Sequence, residues 1–130
     1  MSDFETSLAM SASAMKAQSM RLRLASENIA NNDTPGYRRK TVSFQETFDR
    51  ALGTNVVKTG QVRLDQAELA RIYNPGHPLA DQTGSYDGSN VDLIVEIADA
   101  RESQRSYEAN LKMFDQARQM ASAALELLRR

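Results

Sequence analysis

Apolar residues recur at alternating steps of four and three along the N-terminal part of the chain, from Phe4 to Ile29. Four of these positions lie one heptad apart: Leu8, Met15, Leu22 and Ile29. Such a seam predicts an amphipathic helix that packs in the manner of a coiled coil. Ser2 and Glu5 match a capping box at its start. Its end is predicted near Asn31, since Pro35 disfavours helical geometry at the preceding residue.

The same spacing returns in the C-terminal part of the chain. This second seam starts at Leu93, and its further large apolar residues are Ile97, Tyr107, Leu111, Phe114, Leu125 and Leu128. Asn90 is the predicted N-cap, and Asp92 suits the first turn, where the helix dipole favours an anion. A helix from Val91 to the C-terminal Arg129 and Arg130 would be about 60 Å long, against about 40 Å for the N-terminal helix.

The middle of the chain reads as extended segments joined by turns. Lys40–Phe44 and Gln61–Leu64 alternate polar and apolar residues as short strands do, and Val56 and Val57 lie in a further extended piece. Glu68–Tyr73 fits either a strand or a helical turn. The stretch 84–90 is predicted to be a loop into the last helix.

These patterns predict a mainly α protein. Its long N- and C-terminal helices, residues 1–32 and 91–130, would form a coiled-coil-like hairpin, with a small extended, β-containing middle segment at 33–90. Because many seam positions are small, each helix alone buries little apolar surface, which contributes about 25 cal/mol per Å². We therefore expect the seams to be completed by other chains, and the ends of the isolated chain to become ordered on assembly.

Composition narrows the possible functions. The 130 residues include 16 basic and 17 acidic side chains, a near balance that argues against a nucleic-acid binder. The absence of cysteine excludes disulfides, thiolate nucleophiles and cysteine zinc sites. No segment has the ~20 apolar residues of a membrane span. The N-terminus lacks the features of a cleaved signal peptide, so we expect a cytoplasmic protein or one exported without such a signal.

Catalytic chemistry is not evident in the sequence. The one histidine, His77, lies in a proline- and glycine-containing turn, and we interpret it as a solvated loop residue. An enzyme using the carboxylates Glu96 and Asp99 is disfavoured, because no acid–base partner is visible. We predict no catalytic, cofactor or metal site, hence no small-molecule substrate. The basic run Arg38–Lys40 is interpreted as a solvated or salt-bridged loop, with contact to phosphate or an acidic partner as the alternative.

Gln104 and Arg105 interrupt the second seam. The sequence leaves open whether they form an exposed helix edge or a polar contact that fixes helix register.

One string is more specific than any periodicity. It comprises Asn28, Ile29, Ala30 and Asn31, followed after a short spacer by Thr34, Pro35, Gly36 and Tyr37 and then by basic residues. It resembles the N-terminal signature of flagellar rod and hook proteins. Farther on, the chain resembles the C-terminal helix of the same family at Arg105, Ser106, Tyr107, Ala109 and Asn110. With matches at both ends, the chain is identified as a member of the flagellar basal-body rod family. In its short length it is similar to those members that form the proximal part of the rod.

The resemblance implies a structural subunit that is exported by the flagellar type III apparatus without a cleaved signal. It would polymerise helically across the periplasm with itself and other rod proteins, next to the basal membrane ring and a rod–ring adaptor. The heptad residues would then form the assembly seam. The alternative is a cytoplasmic helical chaperone or adaptor of the same secretion system, which would need neither the Thr-Pro-Gly-Tyr turn nor a strand-like middle. A helix-turn-helix DNA binder is disfavoured, since no basic recognition helix is apparent.

Overall fold

Two long helices form the ends of the computed structural model, which describes residues 3–129. Helix α1 spans Asp3–Ala30 (28 residues) and helix α2 spans Leu93–Arg129 (37 residues). At 1.5 Å per residue they are about 42 and 56 Å long. The predicted mainly α architecture with a strand-containing middle is confirmed, whereas the proposed capping residue Ser2 and the terminal Arg130 lie outside the described residues. Neither described helix has the long, weakly charged apolar stretch needed to cross a bilayer.

The start of α2 differs from the prediction. The helix begins at Leu93, because the Asp92 carboxylate accepts the N–H of Ile94 at 3.0 Å and so caps the first turn. Asn90, the predicted cap, is engaged elsewhere: its Oδ1 accepts the backbone N–H of Arg39 at 2.6 Å, and its amide donates to two carbonyls of the middle segment. The prediction of Asn90 as the N-cap is therefore wrong.

The middle segment contains three antiparallel two-stranded sheets. Strand β1 (Lys40–Thr41) pairs with β4 (Arg63–Leu64), β2 (Phe44–Asp49) with β3 (Thr54–Thr59), and β5 (Arg71–Tyr73) with β6 (Ser85–Asp87). The alternation predicted over 40–44 is thus divided between two strands that pair with different partners. The predicted extended piece at Val56 and Val57 lies in β3, and the ambiguous segment before residue 74 ends in strand β5.

The loop predicted over 84–90 is wrong in part, because Ser85–Asp87 form β6. These three residues become a strand only through pairing with β5, so their own sequence gave little indication of it.

The two helices run antiparallel and pack directly on each other. The middle of α1 contacts the first half of α2, since Arg21 bonds to Asp99, and the start of α1 shares a groove with Met120 near the other end. Small side chains fill the contact. The residues at most 8% exposed there include Ser11 and Ala25 on α1 and Ser103 and Ala117 on α2.

The β2–β3 hairpin lies against α1. Val56 on β3 is 5% exposed, and the neighbouring Val57 N–H donates to Ser13 Oγ at 3.0 Å. Isolated two-stranded ribbons are marginally stable in water. The hairpin therefore depends on the helix beneath it.

Candidate functional site

Asn28 joins the end of α1 to strand β1. Its side chain, 1% exposed, donates from Nδ2 to the Lys40 carbonyl at 3.0 Å and accepts the Lys40 N–H at 2.9 Å on Oδ1. Oδ1 also accepts the Tyr37 hydroxyl at 2.8 Å. Burial raises the pKa of Tyr37, with the nearby Lys40 charge opposing it, so the hydroxyl stays protonated and donates at neutral pH. The Asn28 side chain thus bonds both backbone groups of Lys40, as a neighbouring strand would.

The Thr-Pro-Gly-Tyr turn fixes how the chain leaves α1. Gly36 has φ of 75°, in the region that favours glycine, and its N–H donates to the carbonyls of Asp87 at 3.2 Å and Gly88 at 3.1 Å. The side chain of Asn31 accepts the Thr34 hydroxyl at 3.1 Å. The signature residues therefore tie the end of α1 to β6 and to the approach to α2.

Arg39 carries the ionic contact between this turn and α2. Its guanidinium donates to the Glu96 carboxylate, which is 1% exposed, and to Asp99 at 2.8 Å. Burial disfavours the charge of Arg39, but the hydrogen bond and charge of Glu96 outweigh it and raise the pKa of Arg39. Arg21 adds contacts to Asp99 and Glu102, each at 3.4 Å.

The salt-bridged interpretation of the basic run is confirmed. Besides Arg39, Lys40 pairs with Glu27 at 3.1 Å, and Arg38 donates to backbone carbonyls of the middle segment. The pairing of Arg39 with Glu96 could not be found from the sequence, because the two residues are 57 positions apart and no local pattern joins them. Both α2 carboxylates bond directly to Arg39 in the wall of a cavity of about 370 Å³, an arrangement that holds elements together.

We call this whole arrangement, centred on Asn28, Gly36, Tyr37, Arg39 and Glu96, the base of the helix pair. Other signature residues surround it at the surface: Ile29, Ala30, Thr34 and Pro35 are exposed.

The large heptad residues lie beside the helix contact instead of at its centre. On α1, Leu8, Met15 and Leu22 are half-buried and Ile29 is 36% exposed. On α2, Phe114 is half-buried, while the others are exposed to 44% (Ile97), 38% (Tyr107), 41% (Leu111), 63% (Leu125) and 84% (Leu128). The small residues let the helix backbones approach, and the large heptad side chains lie on the flanks, whereas Leu24, outside the heptad positions, is 4% exposed.

Four of these residues define a surface that we call the outer stripe of α2: Ile97, Tyr107, Leu111 and Leu125. Their spacing places them on one flank of the helix. The exposed methionines Met113 and Met120 lie on the opposite flank. Exposed apolar side chains that share one flank of a helix are typical of interaction sites.

The C-terminal signature residues are divided between the contact and the surface. Asn110 donates to the Ser106 carbonyl one turn earlier at 2.9 Å, and both residues are half-buried. Arg105 and Ala109 are exposed, as is Gln104. Arg105 forms no ion pair within residues 3–129, which favours the exposed-edge interpretation.

His77 lies in the predicted turn, where it is half-buried. Its ring stacks on Tyr86 with centroids 3.9 Å apart. Nearby, Arg71 bridges Asp81 at 2.6 Å and Asp87 at 2.9 Å. Hydrogen bonds, first from a neighbouring threonine and then from Arg71, hold the pKa of Asp81 well below its usual range. In the described part of the chain no cluster of carboxylates and histidine suits a metal ion.

The helix pair, its polar base and the outer stripe define a structural assembly protein. Comparison with known proteins agrees. A family model described as flagella basal body rod protein matches residues 8–38, and one described as flagellar basal body rod FlgEFG protein C-terminal matches residues 82–127.

Similar proteins match over nearly the whole chain. The flagellar basal-body rod protein FlgC of Agrobacterium fabrum is 42% identical, over 90% of this chain and 89% of the relative. The FlgC proteins of Salmonella typhimurium (36% identical, 88% and 90% covered) and Bacillus subtilis (35%, 93% and 95%) are also similar. The chain belongs to the flagellar basal-body rod protein family, and the predicted resemblance to that family is confirmed.

Proposed function

We propose that the chain is a structural subunit of the flagellar basal-body rod, in its proximal part, and that it polymerises helically with other rod proteins. It is not an enzyme. The observation that carries this proposal is the outer stripe, where large apolar side chains lie exposed beside a contact made of small ones. A polymer that grows by repeated addition needs such an open, heterologous surface, which a neighbour covers without closing a ring.

Coiled-coil-like packing of the heptad residues then belongs between subunits. The heptad residues on the flanks of α1 and α2 are placed to meet helices of adjacent subunits, with knobs entering holes as in a coiled coil. The base of the helix pair would set the angle at which each subunit presents these flanks, because it ties the middle segment to both helices.

We further propose that the subunit is exported by the flagellar type III apparatus without a cleaved signal and crosses the periplasm as part of the rod. There it would contact the basal membrane ring and a rod–ring adaptor. The small residues at the helix contact support this route, since they bury little apolar surface and so contribute little to the free energy that must be overcome to unfold the helix pair before export.

Charge on the outer stripe provides the test. Leu111→Asp and Leu125→Asp each place a carboxylate where the proposal puts a dry interface, and rod assembly should be lost. Because both positions are exposed, the unfolding free energy of the free subunit should change by no more than ~0.5 kcal/mol. Motility, co-purification with basal bodies and electron microscopy of the rod measure the first effect, and urea unfolding measures the second.

Lys112→Asp is the matched control, since Lys112 is exposed on the side of α2 that faces away from α1. It should assemble normally. Rods of normal yield from both leucine variants would contradict the proposal, and unfolding of the free variants would show that the stripe serves the fold.

A further inference from the structure

We propose that the groove between α1 and β3 binds an acidic polypeptide segment in extended conformation. This groove, of about 510 Å³, is formed by residues of α1 and β3 only, and we call it the basic groove. Its cations are Lys16 and Arg23 on α1 and Lys58 on β3, and no carboxylate lines it.

The three cations lack partners. Each is exposed, and none forms an ion pair or a side-chain hydrogen bond with any residue in 3–129. Glu27, four positions after Arg23, is held by Lys40 at 3.1 Å. By contrast, the arginines at the base of the helix pair all meet carboxylates or carbonyls. Like charges around one groove repel each other, and an anionic partner relieves that repulsion.

The spacing of the cations selects an extended segment. Lys16 and Arg23 are seven residues apart on α1, so they lie about 10 Å apart along the helix axis. A segment in the extended polyproline II conformation has three residues per turn and rises about 3.1 Å per residue, so carboxylates three residues apart lie on one side of it, about 9 Å apart, and would match them. Lys58 lies across the groove on β3.

The lining favours a polypeptide over a phosphate group. The cations lie on two walls of the groove, two on α1 and one on β3, and Ala17, Met20 and Val57 add apolar atoms to its lining. The hydroxyls of Ser13 and Ser19 add polar contacts at the same groove. A segment that mixes carboxylates with apolar side chains matches this combination.

The basic groove contains no residue of α2, and its proposed partner does not depend on the outer stripe. A failure of rod assembly in stripe variants therefore leaves this proposal intact, and the reverse also holds.

The test uses the purified full chain and a fluorescent synthetic peptide with glutamate at every third position. The groove variant combines Lys16→Gln, Arg23→Gln and Lys58→Gln. Three exposed charge pairs together predict binding about tenfold weaker in the groove variant than in the unaltered chain, with an affinity that falls as salt rises. A matched variant, Arg101→Gln with Arg105→Gln and Lys112→Gln, removes three exposed cations of α2 and should bind as the unaltered chain does.

The position of the bound peptide is measured independently, by cross-linking. The chain has no cysteine, so Ser19→Cys, at an exposed position in the groove, introduces a unique thiol for cross-linking the bound peptide. An adduct formed with the glutamate peptide, and lost in the groove variant, supports the proposal. Equal binding of a glutamine peptide, equal binding by the groove variant, or no adduct would overturn it. Complete displacement by equimolar inorganic phosphate, or preference for phosphatidylglycerol vesicles over the peptide, would also overturn it in favour of a phosphate-bearing ligand.

Discussion

At the scale of single residues, the family signature is explained by geometry. Asparagine has a donor and an acceptor on one short side chain, so Asn28 can satisfy both the N–H and the carbonyl of Lys40. Gly36 has a positive φ, which a residue with a side chain, such as threonine or tyrosine, could adopt only with strain. The sequence predicted the turn and its glycine, but it gave no sign that Asn28 pairs with a strand, because asparagine at a helix end is ordinarily interpreted as a terminator.

Replacing Asn28 tests its role as a strand partner. Asn28→Ala leaves the Lys40 backbone and the Tyr37 hydroxyl without their partner and should lower the unfolding free energy by about 2–4 kcal/mol. Tyr37→Phe removes a single hydrogen bond and should cost about 1 kcal/mol. Urea unfolding measures both, and equal losses in the two variants would contradict the assignment.

Gly36 makes a second residue-scale prediction. Gly36→Val forces a β-branched side chain to positive φ and should cost about 2 kcal/mol, although space is open around it. Gly76→Ala is the control, since Gly76 has no positive φ and an added Cβ would make only an ordinary 3.7 Å contact. Thermal or urea unfolding compares them. Similar stability of the two variants would show that the backbone at Gly36 is relaxed.

At the scale of elements, periodicity predicted where the helices lie but not which side of each forms the contact. The four–three spacing of large apolar residues suggested a central seam, whereas the helices meet through small residues such as Ser11, Ser103 and Ala117. Small residues carry little hydropathy signal, yet they decide how closely two helices approach. Strand β6 was not predicted for a related reason, because its partner β5 is too distant in sequence for a local pattern to show the pairing.

Ser103 tests the small-residue contact. It is 0% exposed, and its hydroxyl finds no hydrogen-bond partner in residues 3–129. Ser103→Ala should therefore be neutral or stabilising by up to about 1 kcal/mol, whereas Ser103→Leu overfills the contact and should cost about 1–3 kcal/mol. Ser122→Leu, at an exposed position of α2, should change stability little. A leucine tolerated equally at both positions would mean that the helices are not closely packed.

At the scale of the whole molecule, the fold of a single chain leaves large apolar side chains uncovered. Its helices bury their small residues inside and leave Ile97, Leu111 and Leu125 exposed, and its middle consists of two-stranded ribbons, of which β2–β3 packs on α1. Composition predicted the absence of catalytic chemistry, and the signature predicted the family. The direction in which the apolar surface faces could not be predicted, because it depends on the helix contact.

The most direct measurement is the location of the chain in the cell. Basal bodies purified from the source cells should contain it by mass spectrometry, and cells lacking it should build no rod beyond the membrane ring. Re-expression of the unaltered chain should restore the rod, which controls for effects on other components. Presence of the chain only in the soluble cytoplasm, with normal rods in cells that lack it, would contradict the structural role and favour a chaperone or adaptor of the export system.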